Sequence, residues 1–284
     1  GSGKTMILGF RAMQLARELS KPILVLCYNK TLAARLDQLI GERGLGEKVQ
    51  VYNFHKWCRK MLVAYHVELP PQGSKDFFEQ MVGRVIDGVD RGQIPRFQYG
   101  AVLVDEGHDF EPDWYKLIVQ MIDPATNSLL VLYDDAQNIY GNTERRKISW
   151  KSLGVQAQGR TTILKLNYRN TLEILSVARV FAQDLLESRS DDDDGVPLIA
   201  PESAGRRGAV PELIRADTAR AQLDVLIARL RDEHAHGRPY SDMAVLYRNQ
   251  WEGEKLHEIL QGLAIPNRLA DNAGKQTLFV VEDS

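Results

Sequence analysis

Three short runs of unbroken apolar residues constrain this chain more than any other feature: 22–28 (PILVLCY), 101–104 (AVLV) and 129–133 (LLVLY). A strand with one wet face alternates apolar and polar residues, whereas a run without alternation is covered on both faces. Between the runs the apolar spacing predicts helices over 6–19, 32–40 and 114–122. Strands alternating with helices imply an α/β fold, a parallel sheet with helices on both sides. Right-handed crossovers then place ligands at the carboxyl ends of the strands. Residues 55–97 break the alternation and read as a helical insertion with a turn at Pro70-Pro71-Gln72-Gly73. A second α/β unit is expected from about Thr161, with a strand over 163–166, a helix over 172–186 and a strand over 243–247. The stretch 188–211 is rich in Asp, Gly, Pro, Ser and Arg and reads as a solvated loop, its aspartates 191–194 needing no further role.

At 284 residues the chain suffices for one large or two medium domains. The pattern divides it into 1–157 and 158–284. A net charge of −2 excludes a globally basic surface, so any nucleic acid must lie in a local groove. Cys27 and Cys58 have no partner at metal-ligand spacing and read as thiols of a reducing compartment, which makes a cytoplasmic location the expectation. No apolar run approaches transmembrane length, so no membrane partner is expected.

The chain opens on Gly1-Ser2-Gly3-Lys4-Thr5, followed at once by an apolar helix. This is the end of a G-x-x-x-x-G-K-[ST] phosphate loop whose first glycine would lie upstream of Gly1, so the sequence reads as a fragment. Glycines let backbone N–H groups close around phosphate oxygens at the positive end of the following helix. Lys4 would reach the β- and γ-phosphates, and the Thr5 hydroxyl would bind Mg²⁺. The site needs a second half, an apolar strand ending in acid, and residues 101–106 (AVLVDE) supply it. Asp105 can hold hydrated Mg²⁺, and Glu106 can polarise the attacking water as general base.

Around this centre the motifs become specific. Asp105-Glu106-Gly107-His108-Asp109-Phe110 resembles the DExQD box of superfamily 1 DNA helicases of the UvrD/Rep type. Asp134-Asp135-Ala136-Gln137-Asn138-Ile139-Tyr140-Gly141 resembles their GDxxQSIYG motif, and Leu166-Asn167-Tyr168-Arg169-Asn170-Thr171 is similar to their NYRS/T motif. Ala244-Val245-Leu246-Tyr247-Arg248 resembles a later AVLYR segment. Tyr28-Asn29-Lys30 and Phe54-His55 look like the DNA-facing segments of the first domain. The resemblance implies two RecA-like P-loop domains, the second truncated at its C-terminal end. It further implies ATP and Mg²⁺ as cofactors and single-stranded DNA or a tailed duplex as partner. Gln137 would sense the γ-phosphate, and Arg169 would act as an arginine finger. Asn29, Lys30, Phe54, His55, Tyr140 and Arg248 would meet DNA, with Phe54 equally readable as core and His55 as a structural histidine.

Three positions depart from the pattern. Tyr133 replaces a glycine, His108 replaces the glutamine of the acidic box, and Asn142-Thr143 stand where an aromatic and an arginine usually meet DNA. The last two motifs of the resembled family are not found before Ser284. The sequence therefore supports an ATP-driven helicase or single-strand translocase, 3′ to 5′ by resemblance. The alternatives are a P-loop ATPase used as a switch or nuclease-complex subunit, and a non-catalytic nucleic-acid-binding module.

Overall fold

The structure is a computed structural model that describes residues 3–71, 73–74, 76–133, 150–155, 160–162, 164, 166–187, 202–247, 249–269 and 277–279. Packing divides the chain into two compact units, Gly1–Pro211 and Glu212–Ser284. The strand pattern in the sequence had suggested a boundary at 157/158.

In the first unit, α1 (Lys4–Glu18) leads into β1 (Ile23–Cys27), α2 (Lys30–Gly41) and β2 (Val49–Asn53). Then come α3 (Phe54–Ala64), α4 (Phe77–Asp90), β3 (Ala101–Asp105), α5 (Pro112–Met121) and β4 (Leu129–Val131). The four strands form one parallel sheet in the order β2-β1-β3-β4. Strands β1 and β3 are buried along their whole length, as their unbroken apolar runs require. β2 was not anticipated. Its residues alternate buried and half-buried, and the polar Gln50, Tyr52 and Asn53 hide it from a search for apolar runs.

Two cores cover the two faces of the sheet. Leu8, Ala12, Leu15 and Ala16 of α1 join Ala33, Leu36 and Ile40 of α2 against Ile23, Val25, Val51 and Leu103. On the other face, α3, α4 and α5 pack Trp57, Met61, Val85, Leu117 and Ile118 against Leu24, Leu26, Val102 and Val104. The expected helical insertion is thus α3 and α4, and it is part of this core. Buried Trp57 donates its indole N–H to the Tyr99 hydroxyl at 3.1 Å, which joins the insertion to the approach of β3.

Register fixes the working edge. Cys27 pairs with both Asn53 and Asp105, so β1, β2 and β3 end in one row. The residues that follow them, Tyr28, Phe54 and Glu106, leave the sheet together.

The first unit also holds β5 (Leu166–Asn167), α6 (Leu172–Glu187) and β6 (Glu202–Ser203), with β5 parallel to β6. The expected loop over 188–211 therefore contains a strand and a structured segment, which two-residue pairing without periodicity did not announce. The second unit comprises α7 (Ala219–Ala235), β7 (Ala244–Leu246), α8 (Gln250–Gly262), β8 (Arg268–Leu269) and β9 (Thr277–Phe279). Its described strands run antiparallel in the order β7-β9-β8, where the sequence had suggested a parallel sheet. Its core gathers Leu230, Tyr240, Met243, Leu256, Leu260 and Ile265. Among the described residues no helix is long and apolar enough to cross a membrane.

Candidate ATP site and nucleic-acid edge

The phosphate end of the site is built by the turn into α1. Gly3 has φ 82° and ψ 13°, a left-handed conformation that glycine adopts without a Cβ penalty. Its carbonyl accepts from the N–H groups of Met6 and Ile7, which closes the first turn. By their position the first N–H groups of a helix have no intrahelical acceptor and carry its positive end, the arrangement that suits an anion. No acidic side chain lies in that first turn. Gly1 and Ser2 lie outside the described residues.

The carboxylate end is built by β3. Asp105 is fully buried at the strand's last position. The Thr5 hydroxyl donates to its Oδ2 at 3.2 Å, and the Glu106 N–H donates to its Oδ1 at 3.0 Å. Burial, and after it the Glu106 carboxylate, push the Asp105 pKa up. The Glu106 N–H, the Thr5 hydroxyl and the Lys4 ammonium oppose that shift. Residues one hundred positions apart in sequence are thereby in contact. Two oxygen donors of the kind Mg²⁺ takes, Thr5 and Asp105, stand together, and phosphate oxygens and water commonly complete such a shell. This donor set fits Mg²⁺. Among the described residues no group of three or more His, Cys, Asp or Glu could form an all-protein metal cage. Cys27, level with Asp105 on β1, has its thiol pKa raised by burial and then by Asp105 and Glu106, which keeps it a neutral thiol.

Glu106 has φ 52° and ψ 48°, a left-handed conformation that costs a non-glycine residue energy. The neighbouring backbone enforces it. The Gly107 N–H donates to the Leu132 carbonyl at 2.8 Å, and the Gly107 carbonyl accepts from the buried Tyr115 hydroxyl at 2.6 Å. A Cβ at Gly107 would lie 2.6 Å from that hydroxyl and 2.6 Å from Val131 Cγ1, so only glycine fits. The three-residue turn Gly107–Asp109 then carries buried His108 beside Glu106. Tyr133, the residue that departs from the glycine pattern, sets its ring edgewise to His108 at 6.1 Å and to Trp150 at 5.7 Å.

Arg169 sits on the exposed turn after β5. Buried Asn167 shapes this turn by accepting from the N–H groups of Arg169 at 3.0 Å and Asn170 at 2.9 Å. Arg206 closes it from the other side, donating to the Arg169 and Tyr168 carbonyls at 3.1 and 3.4 Å. Leu172 N–H in turn donates to the Arg206 carbonyl, and Glu173 accepts from Arg207 at 3.1 Å and from the Gly208 N–H at 3.0 Å. Neither Asn167 nor Arg206 was singled out as a site residue. Asn167 could have been, as an Asx-turn former inside the NYR motif. Arg206 gave no sequence signal.

At the ends of β1 and β2 the nucleic-acid candidates separate. The Asn29 side chain accepts from Thr31 and Leu32 N–H groups and so caps α2. Phe54 is fully buried and stacks on Trp114 at 4.3 Å, so its ring is core and offers no face to a base. That is a correction to the DNA-contact expectation; the reading of Phe54 as core prevails. Lys30 is exposed and His55 half-buried. His55 packs against Phe78 at 4.8 Å and edgewise on Trp114 at 5.2 Å, and Tyr28, 40% exposed, stacks over Trp114 at 6.3 Å. Burial, then the Lys30 charge, lower the His55 pKa. Asn53 joins the two segments: its amide donates to the Tyr28 carbonyl, and its oxygen caps α3 at Lys56 N–H. Asn53, Phe78 and Trp114 were not among the expected residues, and Tyr28 was expected only as part of the Tyr28-Asn29-Lys30 segment. An asparagine directly before a helical run was the available signal for Asn53. Gln137, Tyr140 and Arg248 lie outside the described residues.

Residues 162–279 match the family described as the UvrD-like helicase C-terminal domain. The chain is 28% identical over 176 residues to the mitochondrial ATP-dependent DNA helicase HMI1 of Saccharomyces cerevisiae, covering 60% of this chain and 24% of that protein. It is 28% identical over 174 residues to DNA helicase II of Haemophilus influenzae, covering 61% and 22%. It is 26% identical over 180 residues to the ATP-dependent DNA helicase PcrA of Staphylococcus epidermidis, covering 60% and 22%. These matches span about a quarter of the length of each relative.

Proposed function

We propose that this chain, which is related to the UvrD/Rep-type superfamily 1 helicases, forms part of the ATP-binding motor of a DNA helicase. That motor couples ATP hydrolysis to movement along a single strand in the 3′ to 5′ direction. The observation that carries the reading is the 3.2 Å contact of Thr5 with Asp105, which joins the phosphate turn to the acidic strand end.

In this reading the backbone of Gly1, Ser2 and Gly3 and the start of α1 cradle the phosphates. The Lys4 ammonium neutralises charge between the β- and γ-phosphoryl groups. Thr5 and Asp105 hold Mg²⁺, which when bound draws charge from the phosphate oxygens. Glu106 accepts a proton from the attacking water. Gln137 reports the γ-phosphate, and Arg169, on the turn shaped by Asn167 and Arg206, stabilises the transferring group. The sequence pattern supports RecA-like halves over 1–157 and 158–284, although packing groups 158–211 with the first unit, and ATP-dependent closure between such halves moves the strand. DNA meets the edge formed by Lys30, His55 and Tyr28, together with Tyr140 and Arg248. Asn29 acts there through its cap on α2.

The test is the ATPase rate with and without single-stranded DNA, on the full-length parent and its Glu106→Gln variant. Strong stimulation by DNA that the substitution abolishes is the expected result. Hydrolysis indifferent to DNA would point to a switch, and absence of hydrolysis would leave a binding module.

A further inference from the structure

The turn after β3 holds an arrangement that the ATP site as described does not use. His108 has only 4% of its side chain exposed, and its Nδ1 lies 3.5 Å from Glu106 Oε2. Both atoms are buried, and among the described residues neither has a hydrogen-bond partner. A buried polar atom without a partner carries its full desolvation cost, so two such atoms facing each other call for an explanation. A movement of a few tenths of an ångström would satisfy both. The other ring nitrogen, Nε2, stands 4.0 Å from Asp109 Oδ1, beyond hydrogen-bond distance. The ring is walled by Tyr133. The bonds at Gly107 hold the left-handed backbone of Glu106 in place and leave any adjustment to its side chain.

We infer that His108 is the positioning residue for Glu106: its Nδ1–H donates to Oε2 and fixes the carboxylate so that Oε1 faces the attacking water. This inference rests on the reading of Glu106 as general base. A long acid side chain on a strained turn spreads over several rotamers, and a base works only within hydrogen-bond reach of the proton it takes. A hydrogen-bond donor at Oε2 restrains the carboxylate in one orientation. The histidine at this position, a departure from the glutamine of the resembled box, thereby acquires a role of its own. Asparagine places an amide nitrogen where Nδ1 stands; alanine places nothing there.

The experiment uses the full-length parent with His108→Ala, His108→Asn and Glu106→Gln. His108→Ala should lower kcat for ATP about 10- to 100-fold, the size expected of a misplaced catalytic group. KM for ATP should stay within about two-fold, because ground-state binding is not touched. His108→Asn should recover most of kcat; a packing role alone would leave both variants impaired alike. In the nucleotide-free protein, nitrogen-15 NMR should show His108 protonated on Nδ1, and Glu106→Gln should shift that resonance. An active parent whose kcat is unchanged by His108→Ala, or whose loss asparagine does not recover, overturns the inference and leaves the ATPase reading intact. So does an Nδ1 resonance that ignores Glu106→Gln. A parent without hydrolysis overturns both.

Discussion

Gly107→Ala puts a methyl group where the structure leaves no room for one. The new Cβ would stand 2.6 Å from the Tyr115 hydroxyl, 2.6 Å from Val131 Cγ1 and 3.3 Å from the Leu132 carbonyl oxygen. Tyr115 is buried and cannot swing into solvent, and Val131 belongs to a paired strand. Overpacking of this kind costs about 1–3 kcal/mol. Pushing Tyr115 aside also breaks its 2.6 Å bond to the Gly107 carbonyl, worth about 1 kcal/mol. The expected loss is therefore about 2–4 kcal/mol. Tyr115→Phe alone should cost only about 1 kcal/mol, since the Gly107 carbonyl keeps the Phe110 N–H at 3.2 Å. The double variant lacks one of the two closest clashes, so its cost should fall short of the sum by about 1 kcal/mol or more. Urea unfolding of the parent, both single variants and the double variant measures all three quantities. A Gly107→Ala cost under about 0.5 kcal/mol, or strict additivity, would refute the argument that close approach demands glycine here.

Three further outcomes follow from the site. Because the Asp105 pKa is raised in the fold, its contribution to stability is complete below the unfolded value and is lost as pH rises through the folded one. Asp105→Asn should accordingly raise the thermal midpoint at pH 7, by an amount that shrinks as pH falls below the ordinary aspartate range; an equal gain at both ends contradicts this. His55 should titrate below the ordinary histidine value in an NMR pH series, and Lys30→Ala should move it part of the way back, with burial keeping the larger share. A His55 titrating at or above the ordinary value would show that burial does not govern it. Arg169→Ala should reduce kcat by about 10³-fold or more with little change in nucleotide affinity, as expected of an arginine finger. Arg206→Ala should give a smaller loss through the freed turn, and equal losses would show that Arg206 itself meets the nucleotide.

Local chemistry made much of this protein legible in its sequence. Two of the three runs without alternation, β1 and β3, are covered on both faces as expected and could be read directly with the helices between them, whereas the third, β4, is half-buried at every position. The turn at Gly3, Lys4 and Thr5 and the strand end at Asp105 and Glu106 stood out as residue types and spacings that suit phosphate and Mg²⁺, and the Thr5–Asp105 contact joins the two motifs. Strand β2, the pairing of β5 with β6 and the antiparallel sheet of the second unit escaped. Short or polar strands have no period, and only pairing defines them. The structure alone decided three things at the site. Register brought Cys27, Asn53 and Asp105 level, although they lie far apart in the chain. Burial assigned Phe54 to the core and left Lys30 and His55 at the edge, a choice that residue type cannot make. The contacts of Gly107 turned Glu106 left-handed and set it beside His108, because a glycine's necessity depends on which atoms stand where its side chain would be.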